Sequence, residues 1–237
     1  MKRASAAVME QRARGEIESD SPEQKLWRAL DYYPTPPWAA RAIAHRIRQL
    51  DPGARTACEP ACGEGHFAEP MREVFDVVRA SDVYDFGYGE VRDFLHAPAP
   101  EADPDWIITN PPFVAAPEFI ARGLSIARCG VEMLCRLAFV ESVDRYPLLW
   151  GDGAPLTTLM PFAERVPMQL GSWDPKLHTA TAYAVFCFHK GRSPTPPMGF
   201  PPGTRQAYWR NTDAERFAKA EPLPLFDNMA APPLFAS

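Results

Sequence analysis

Apolar residues along this chain recur with a period that changes from segment to segment, and the changes mark out its elements. Between residues 38 and 50, Ala39, Ile43, Ile47 and Leu50 recur every three or four positions, opposite Arg41, His45, Arg46 and Arg48. That spacing predicts an amphipathic helix, with Pro36 and Pro37 at its start. Short apolar runs then alternate with helical stretches: 55–61, a helix through 71–75, then 77–81, 106–109, a helix over 117–127, and 131–140. The runs are too apolar to have a wet face, so they predict an α/β fold with a mostly parallel sheet covered on both sides. Residues 162–168 and 181–189 follow without an intervening helix and predict an antiparallel hairpin at one sheet edge. The expected organisation is a loosely ordered lead-in over 1–30, a single domain over 31–191 and a Pro-rich C-terminal extension over 192–237.

Composition narrows the class. With 237 residues, 46% hydrophobic and 23% charged, the chain can bury one core and does not read as disordered or fibrous. No apolar run approaches the about 18 to 20 residues of a membrane span. The charged first 20 positions lack the apolar stretch of a signal peptide, so the expected location is the cytoplasm, with no membrane partner. Five cysteines at 58, 62, 129, 135 and 187 suit reduced thiols better than a disulfide framework, and their spacing suggests no metal site. The formal charge of −5 conceals an asymmetry: residues 51–120 hold 14 acidic and 4 basic residues, so the remainder is net positive. A polyanion needs only a locally positive surface, and a nucleic-acid partner stays open.

Candidate chemistry begins at 58–66, a Gly-rich turn that closes one predicted strand and opens a helix. Gly63 and Gly65 have no Cβ, so the backbone can turn tightly and a ligand can lie against it. Asp82 follows Gly63 by 19 residues, at the end of the next predicted strand, where an acid can hold a ribose hydroxyl. On these residues alone the ligand could be NAD or any adenosine-bearing cofactor, and a structural turn is the alternative. His66 is expected to serve the helix start.

A second motif separates these options. The apolar run ending at Thr109 delivers Asn110, and Pro111 and Pro112 then fix the backbone and remove N–H donors before the aromatic Phe113. Asn110 Oδ1 and the Pro111 carbonyl can each accept a hydrogen from an exocyclic amine, while Phe113 packs on the planar ring that carries it. A strand ending in a rigid proline turn over a core Phe is the alternative.

In this order the motifs resemble those of the class I S-adenosylmethionine-dependent methyltransferases, and among them the DNA enzymes that make N6-methyladenine. Asn110-Pro111-Pro112-Phe113 resembles their catalytic motif, Glu59-Pro60-Ala61-Cys62-Gly63-Glu64-Gly65 their first cofactor motif, and Asp31-Tyr32-Tyr33-Pro34-Thr35-Pro36 the segment that precedes their sheet. Asp93 and Phe94 resemble their adenine-binding pair. Similar segments, with Arg145-Tyr146-Pro147-Leu148, occur in small phage and prophage methyltransferases, which implies a phage- or prophage-encoded enzyme in a bacterial host cell. The resemblance spans 31–191 and implies a Rossmann-like, doubly wound fold that binds S-adenosyl-L-methionine. It implies that Thr35 hydrogen-bonds the cofactor carboxylate, with Tyr33 and Pro36 lining the site. Glu59, Ala61, Gly63 and Gly65 would surround methionine and ribose, Asp82 would take the ribose hydroxyls, and Val83 would pack on the cofactor's adenine. Asp93 would accept from that adenine's amine, with Phe94 against its ring.

The function so implied is methyl transfer from S-adenosylmethionine to adenine N6 in DNA, at a short or loosely defined target, the base being flipped out or single-stranded. An RNA base or a protein glutamine amide is the alternative substrate, and a noncatalytic cofactor- or clamp-binding module the alternative of another class. Two segments could contact DNA: 205–210, where Arg205, Tyr208, Trp209 and Arg210 interleave charge with rings, and 145–156, with Tyr146 and Trp150. Near the end of the chain Leu223, Leu225 and Phe226 resemble a sliding-clamp docking peptide, the alternative being a tail folded back on its own domain.

Overall fold

A computed structural model describes residues 20–100 and 102–218, and the apolar runs among them form one seven-stranded sheet. The strands are β1 (Thr56–Glu59), β2 (Val77–Asp82), β3 (Glu90–Val91), β4 (Trp106–Thr109), β5 (Gly130–Arg136), β6 (Thr158–Pro161) and β7 (Tyr183–His189). Their spatial order is β3-β2-β1-β4-β5-β7-β6. The five from β3 to β5 are parallel, and β7 runs antiparallel to both β5 and β6. All four residues of β4 and six of seven in β5 are buried, as strands covered on both faces require.

The helices are α1 (Pro22–Ala29), α2 (Pro37–Leu50), α3 (Ala68–Arg72), α4 (Ala116–Ile126), α5 (Tyr146–Leu149), α6 (Thr204–Tyr208) and α7 (Asn211–Phe217). On one side of the sheet Ile43 and Ile47 of α2 and Met71 of α3 pack with Ile108 and Leu134. On the other, Phe119 and Ile120 of α4 pack with Ile107, Val131 and Met133. The result is the doubly wound α/β fold that the sequence implied. No helix among the described residues is long and apolar enough to cross a membrane.

Several boundaries differ from expectation. The strand expected over 162–168 is instead β6, ending at Pro161, and β7 lies between it and β5. The apolar residues beyond Pro161 pack outside the named strands: half-buried Phe162 forms an isolated bridge with Phe200 and stacks on it with ring centroids 4.2 Å apart, and buried Val166 and Met168 join the α2 side of the core. The run expected over 131–140 leaves the sheet after Arg136 in a 3-10 turn, Leu137–Val140. Within the lead-in expected to be loose, α1 starts at a reciprocal cap in which Gln24 N donates to Ser21 Oγ and Ser21 N donates to Gln24 Oε1. Arg41, placed by periodicity on a polar face, is buried.

The described part of the Pro-rich segment covers the sheet edge. Thr195, Met198 and Phe200 donate their N–H groups to the carbonyls of Thr157, Leu159 and Pro161 at 2.7, 3.0 and 2.8 Å. Edge carbonyls that could otherwise pair with another chain are thereby occupied. The chain then returns over α2. Arg41 there meets Asp213 of α7 through two hydrogen bonds of 3.0 Å, Glu73 at 2.7 and 2.8 Å, and the Tyr208 carbonyl at 2.7 Å. Two carboxylates and a carbonyl around one guanidinium compensate the cost of burying it. Leu223, Leu225 and Phe226 lie outside the described residues.

Candidate active site

Strand order reverses between β1 and β4, and a cleft opens at the carboxyl ends of β1, β2 and β4, the position where open α/β sheets bind ligands. It draws together segments far apart in sequence. Tyr33 and Thr35 precede α2, Glu59 and Ala61 follow β1, Asp82 and Val83 end β2, Asp93 and Phe94 follow β3, and Asn110 and Pro112 follow β4. Ten of the fifteen residues singled out from sequence therefore line one cleft. Pro36, Gly63, Gly65, Pro111 and Phe113 do not line it.

The glycine turn has a use the sequence did not show. Gly63 and Gly65 adopt φ of 49° and 90°, in the left-handed region that other residues avoid. A Cβ on Gly63 would stand 2.5 Å from the Tyr32 ring, and one on Gly65 2.6 Å from the Tyr88 ring. The space a Cβ would need at each glycine is thus taken by a tyrosine of the chain itself. Tyr32 and Tyr88 are anchored by donating to Glu64 at 2.9 Å and Glu69 at 2.6 Å. The missing Cβ atoms admit these rings directly, and the turn so held aims the Gly63 N–H at Asp82 Oδ2, 2.9 Å away.

The walls are largely apolar, with a few acids and acceptors set into them. Asp82 also accepts from Tyr84 N at 3.2 Å, and burial pushes its carboxyl up to about 6 in spite of these donors. Glu59 is buried, and burial, with the charge of nearby Asp82, holds its carboxyl well above the usual carboxylate range. Its Oε2 finds no hydrogen-bond partner among the described residues. Asn110 donates from Nδ2 to the Tyr33 carbonyl at 2.8 Å and to Met168 Sδ at 3.7 Å, while its buried Oδ1 likewise finds no partner there. Thr35 is buried, with its hydroxyl 3.9 Å from the same Met168 sulfur. Such a cleft can take up donors, either amines or hydroxyls, without rearranging its own bonds.

The Phe113 ring lies 5.8 Å from that of Tyr33 and 6.1 Å from that of Tyr183, with the Arg136 guanidinium 4.5 Å above its centroid. The guanidinium thus sits against a face of the ring, which attracts cations. Phe94 is buried against Phe119, ring centroids 5.0 Å apart. Asp93 is exposed and already engaged: Oδ1 accepts from Leu95 N and His96 N, and Oδ2 lies 2.8 Å from His96 Nδ1. Burial opposes, but these donors outweigh it and hold the carboxyl below the usual range.

Met168, Arg136 and His66 join the site without having been singled out for it. Met168 and Arg136 lie beyond any motif, and only the fold brings them to Asn110 and Phe113. His66 carried a local signal, its place directly after Gly65, which the expectation of a helix-start role outweighed.

Neither a protein-family model nor a curated protein matches the sequence significantly. Solved structures do match. One is a candidate RNA methyltransferase from Pyrococcus horikoshii, 17% identical with a TM-score of 0.54, over 68% of this chain and 88% of that one. Another is a methyltransferase subunit of a type I restriction-modification system from Streptococcus thermophilus, 12% identical with a TM-score of 0.51, over 68% of this chain and 46% of that one. At these identities the likeness establishes a shared fold.

Proposed function

We propose that the chain is an S-adenosylmethionine-dependent methyltransferase that acts on the N6 amine of adenine in DNA. The observation that carries the reading is the Asn110 side chain: its nitrogen is committed to the Tyr33 carbonyl, and its buried oxygen finds no partner among the described residues. A buried acceptor left open costs about 1 to 3 kcal/mol, so the fold holds it against a penalty that a donor would relieve. The order of motifs and the fold shared with two methyltransferases support the same reading.

The cleft fits the cofactor on its own terms. The cofactor's ammonium and ribose hydroxyls are donors, and the walls offer Glu59 Oε2 and the Asp82 carboxylate to receive them. Thr35 would hold its carboxylate, Val83 and Phe94 its adenine, and Asp93 that ring's amine by exchanging its contact with His96. When bound, S-adenosylmethionine supplies an electrophilic methyl group on a sulfonium.

The chain's part is placement. Asn110 Oδ1, with the Pro111 carbonyl, would accept the two hydrogens of the exocyclic amine and turn the nitrogen lone pair toward the methyl group. Pro111 and Pro112 keep that turn rigid and free of competing N–H groups. The N–C bond would form as the sulfonium S–C bond breaks, leaving S-adenosylhomocysteine; the same acceptors would stabilise the positive charge passed to nitrogen, and the surplus proton would then leave to solvent. Positioning of this kind supplies about 7 to 11 kcal/mol, so no base of tuned pKa is required. A paired adenine cannot reach Asn110, and is flipped out or taken single-stranded.

Nucleoside mass spectrometry of DNA and RNA from cells expressing the chain, beside cells expressing Asn110→Ala, tests this. N6-methyladenine in DNA alone, dependent on Asn110, is expected. Methylation confined to RNA or to protein glutamine would refute the DNA assignment, and none at all would leave a cofactor-binding module.

A further inference from the structure

His66 follows the glycine turn directly, is only 3% exposed, and lines the same cleft as Glu59 and Asn110. Neither of its ring nitrogens makes a hydrogen bond among the described residues, the Glu64 carboxylate standing 3.9 Å from Nδ1, and both are shielded from water. A buried imidazole with both nitrogens open points to a ligand. Three side chains on the walls of one cleft thus carry buried polar atoms without partners: a carboxyl at Glu59, an amide oxygen at Asn110 and the imidazole between them in sequence.

The ring is held from behind by a distant part of the chain. It lies against Phe217 of α7, ring centroids 4.4 Å apart at an interplanar angle of 33°. That helix is fixed in turn by the two bonds from Arg41 to Asp213 and by Arg216 reaching Glu69 at 2.7 Å. Burial, helped by the Arg216 charge, lowers the imidazole to about 3, so it is neutral and offers one donor and one acceptor.

We propose that His66 is a binding contact for the amino-acid end of the cofactor and that Phe217 is its positioning residue, which makes α7 part of the cofactor site. This rests on the methyltransferase reading above. The choice of ligand end follows from the walls. The nucleoside side of the cleft is furnished by Asp82, Val83 and Phe94, from β2 onward, whereas His66 stands after β1 with Glu59. An α-carboxylate takes the imidazole N–H, and the α-ammonium suits Glu59.

Calorimetry on the full chain with two probes tests it: S-adenosylhomocysteine, which has the amino-acid end, and 5′-methylthioadenosine, which lacks it. His66→Phe keeps a ring against Phe217 but removes both nitrogens. It is expected to weaken S-adenosylhomocysteine about tenfold, as one lost buried hydrogen bond would, and to leave methylthioadenosine within about twofold. His66→Asn, which retains a donor, is expected within about threefold of the parent for both probes. Phe217→Leu, milder for folding, is expected to weaken S-adenosylhomocysteine selectively, about threefold. Equal loss of both probes would mean a merely structural ring, and no loss would mean no contact; either overturns the proposal. A parent chain that binds neither probe would bring down the cofactor reading itself.

Discussion

The main-chain N–H of Phe113 donates to Oδ2 of Asp31 at 2.5 Å, joining the ends of two motifs 82 positions apart. Together with the Asn110 amide on the Tyr33 carbonyl, it makes the segment before α2 and the turn after β4 a single unit. Asp31 sits at φ 52°, a conformation that Asp and Asn tolerate better than most residues. Asp31→Asn should keep both backbone conformation and acceptor. Asp31→Ala should lose both, at a cost of about 1 to 3 kcal/mol in urea unfolding, with turnover falling more than cofactor affinity. An Ala variant as stable and active as the Asn variant would show the contact to be incidental.

The Tyr33 carbonyl can only accept, so it dictates which end of the Asn110 amide is nitrogen and which is left open. Asn110→Ala removes the open acceptor and leaves in place Thr35, Glu59 and Asp82, the residues proposed to hold the cofactor. Turnover should fall about 10²- to 10³-fold, the effect of losing one placed hydrogen-bonding group. Affinity for S-adenosylhomocysteine should change less than about threefold, under ~0.7 kcal/mol. More than a tenth of parental activity would sink the acceptor role.

Asp82 predicts a pH dependence with a definite sign. Burial raises its carboxyl in the folded chain to about 6, above the ordinary aspartate value of 3.8, so between those values the folded chain binds a proton that the unfolded chain has released. Stability from this group therefore falls as pH rises from about 4 to 6. Cofactor binding would move the other way, because a ribose hydroxyl would donate to the ionised form. Affinity for S-adenosylhomocysteine should be roughly tenfold weaker at pH 5 than at 7.5, and the difference should vanish in Asp82→Asn. Glu59 also titrates upward, so the contrast with the Asn variant is the measurement that decides. Equal pH slopes in the two proteins would remove Asp82 from the binding site.

What could be read in the sequence was whatever a local pattern encodes. Strands β4 and β5 are legible because burial on both faces leaves an unbroken apolar run, and Asn110 because a strand end followed by two prolines is a local event. Arg41 was misplaced because two of the partners that compensate its burial, Asp213 and the Tyr208 carbonyl, lie 172 and 167 positions away. Met168 and Arg136 reach the site by tertiary folding alone. The apolar residues after Pro161 looked like a strand because packing and pairing select the same residue types. Helix α1 is a different case: Ser21 and Gln24 spell a capping box, a signal present but masked by the charged residues around it.

For the proposed DNA substrate, the candidate contact segments differ in what their side chains already do. Arg205 donates to the Pro175 carbonyl and lies over the Trp209 ring, which in turn packs 5.9 Å from Trp173, so the 205–210 segment spends its groups on its own chain. Tyr146 and Trp150, on and just after α5, remain 56% and 47% exposed beyond the end of β5, next in the sheet to the strand that carries Asn110. Base stacking on an exposed ring is worth about 1 to 3 kcal/mol, with little regard to sequence. Trp150→Ala and Tyr146→Ala should each weaken DNA binding by that amount in fluorescence anisotropy and leave S-adenosylhomocysteine affinity unchanged. Arg205→Ala should matter less. Affinity drawn mainly from phosphates and stacking falls steeply with salt and discriminates little, since each base-edge contact adds only ~1 to 3 kcal/mol. Methylation is therefore expected at a motif of about four base pairs or fewer, as single-molecule sequencing of methylated host DNA would show. A strict target of about six base pairs or more would mean that base-edge contacts come from elsewhere, from a partner or from segments outside the described residues.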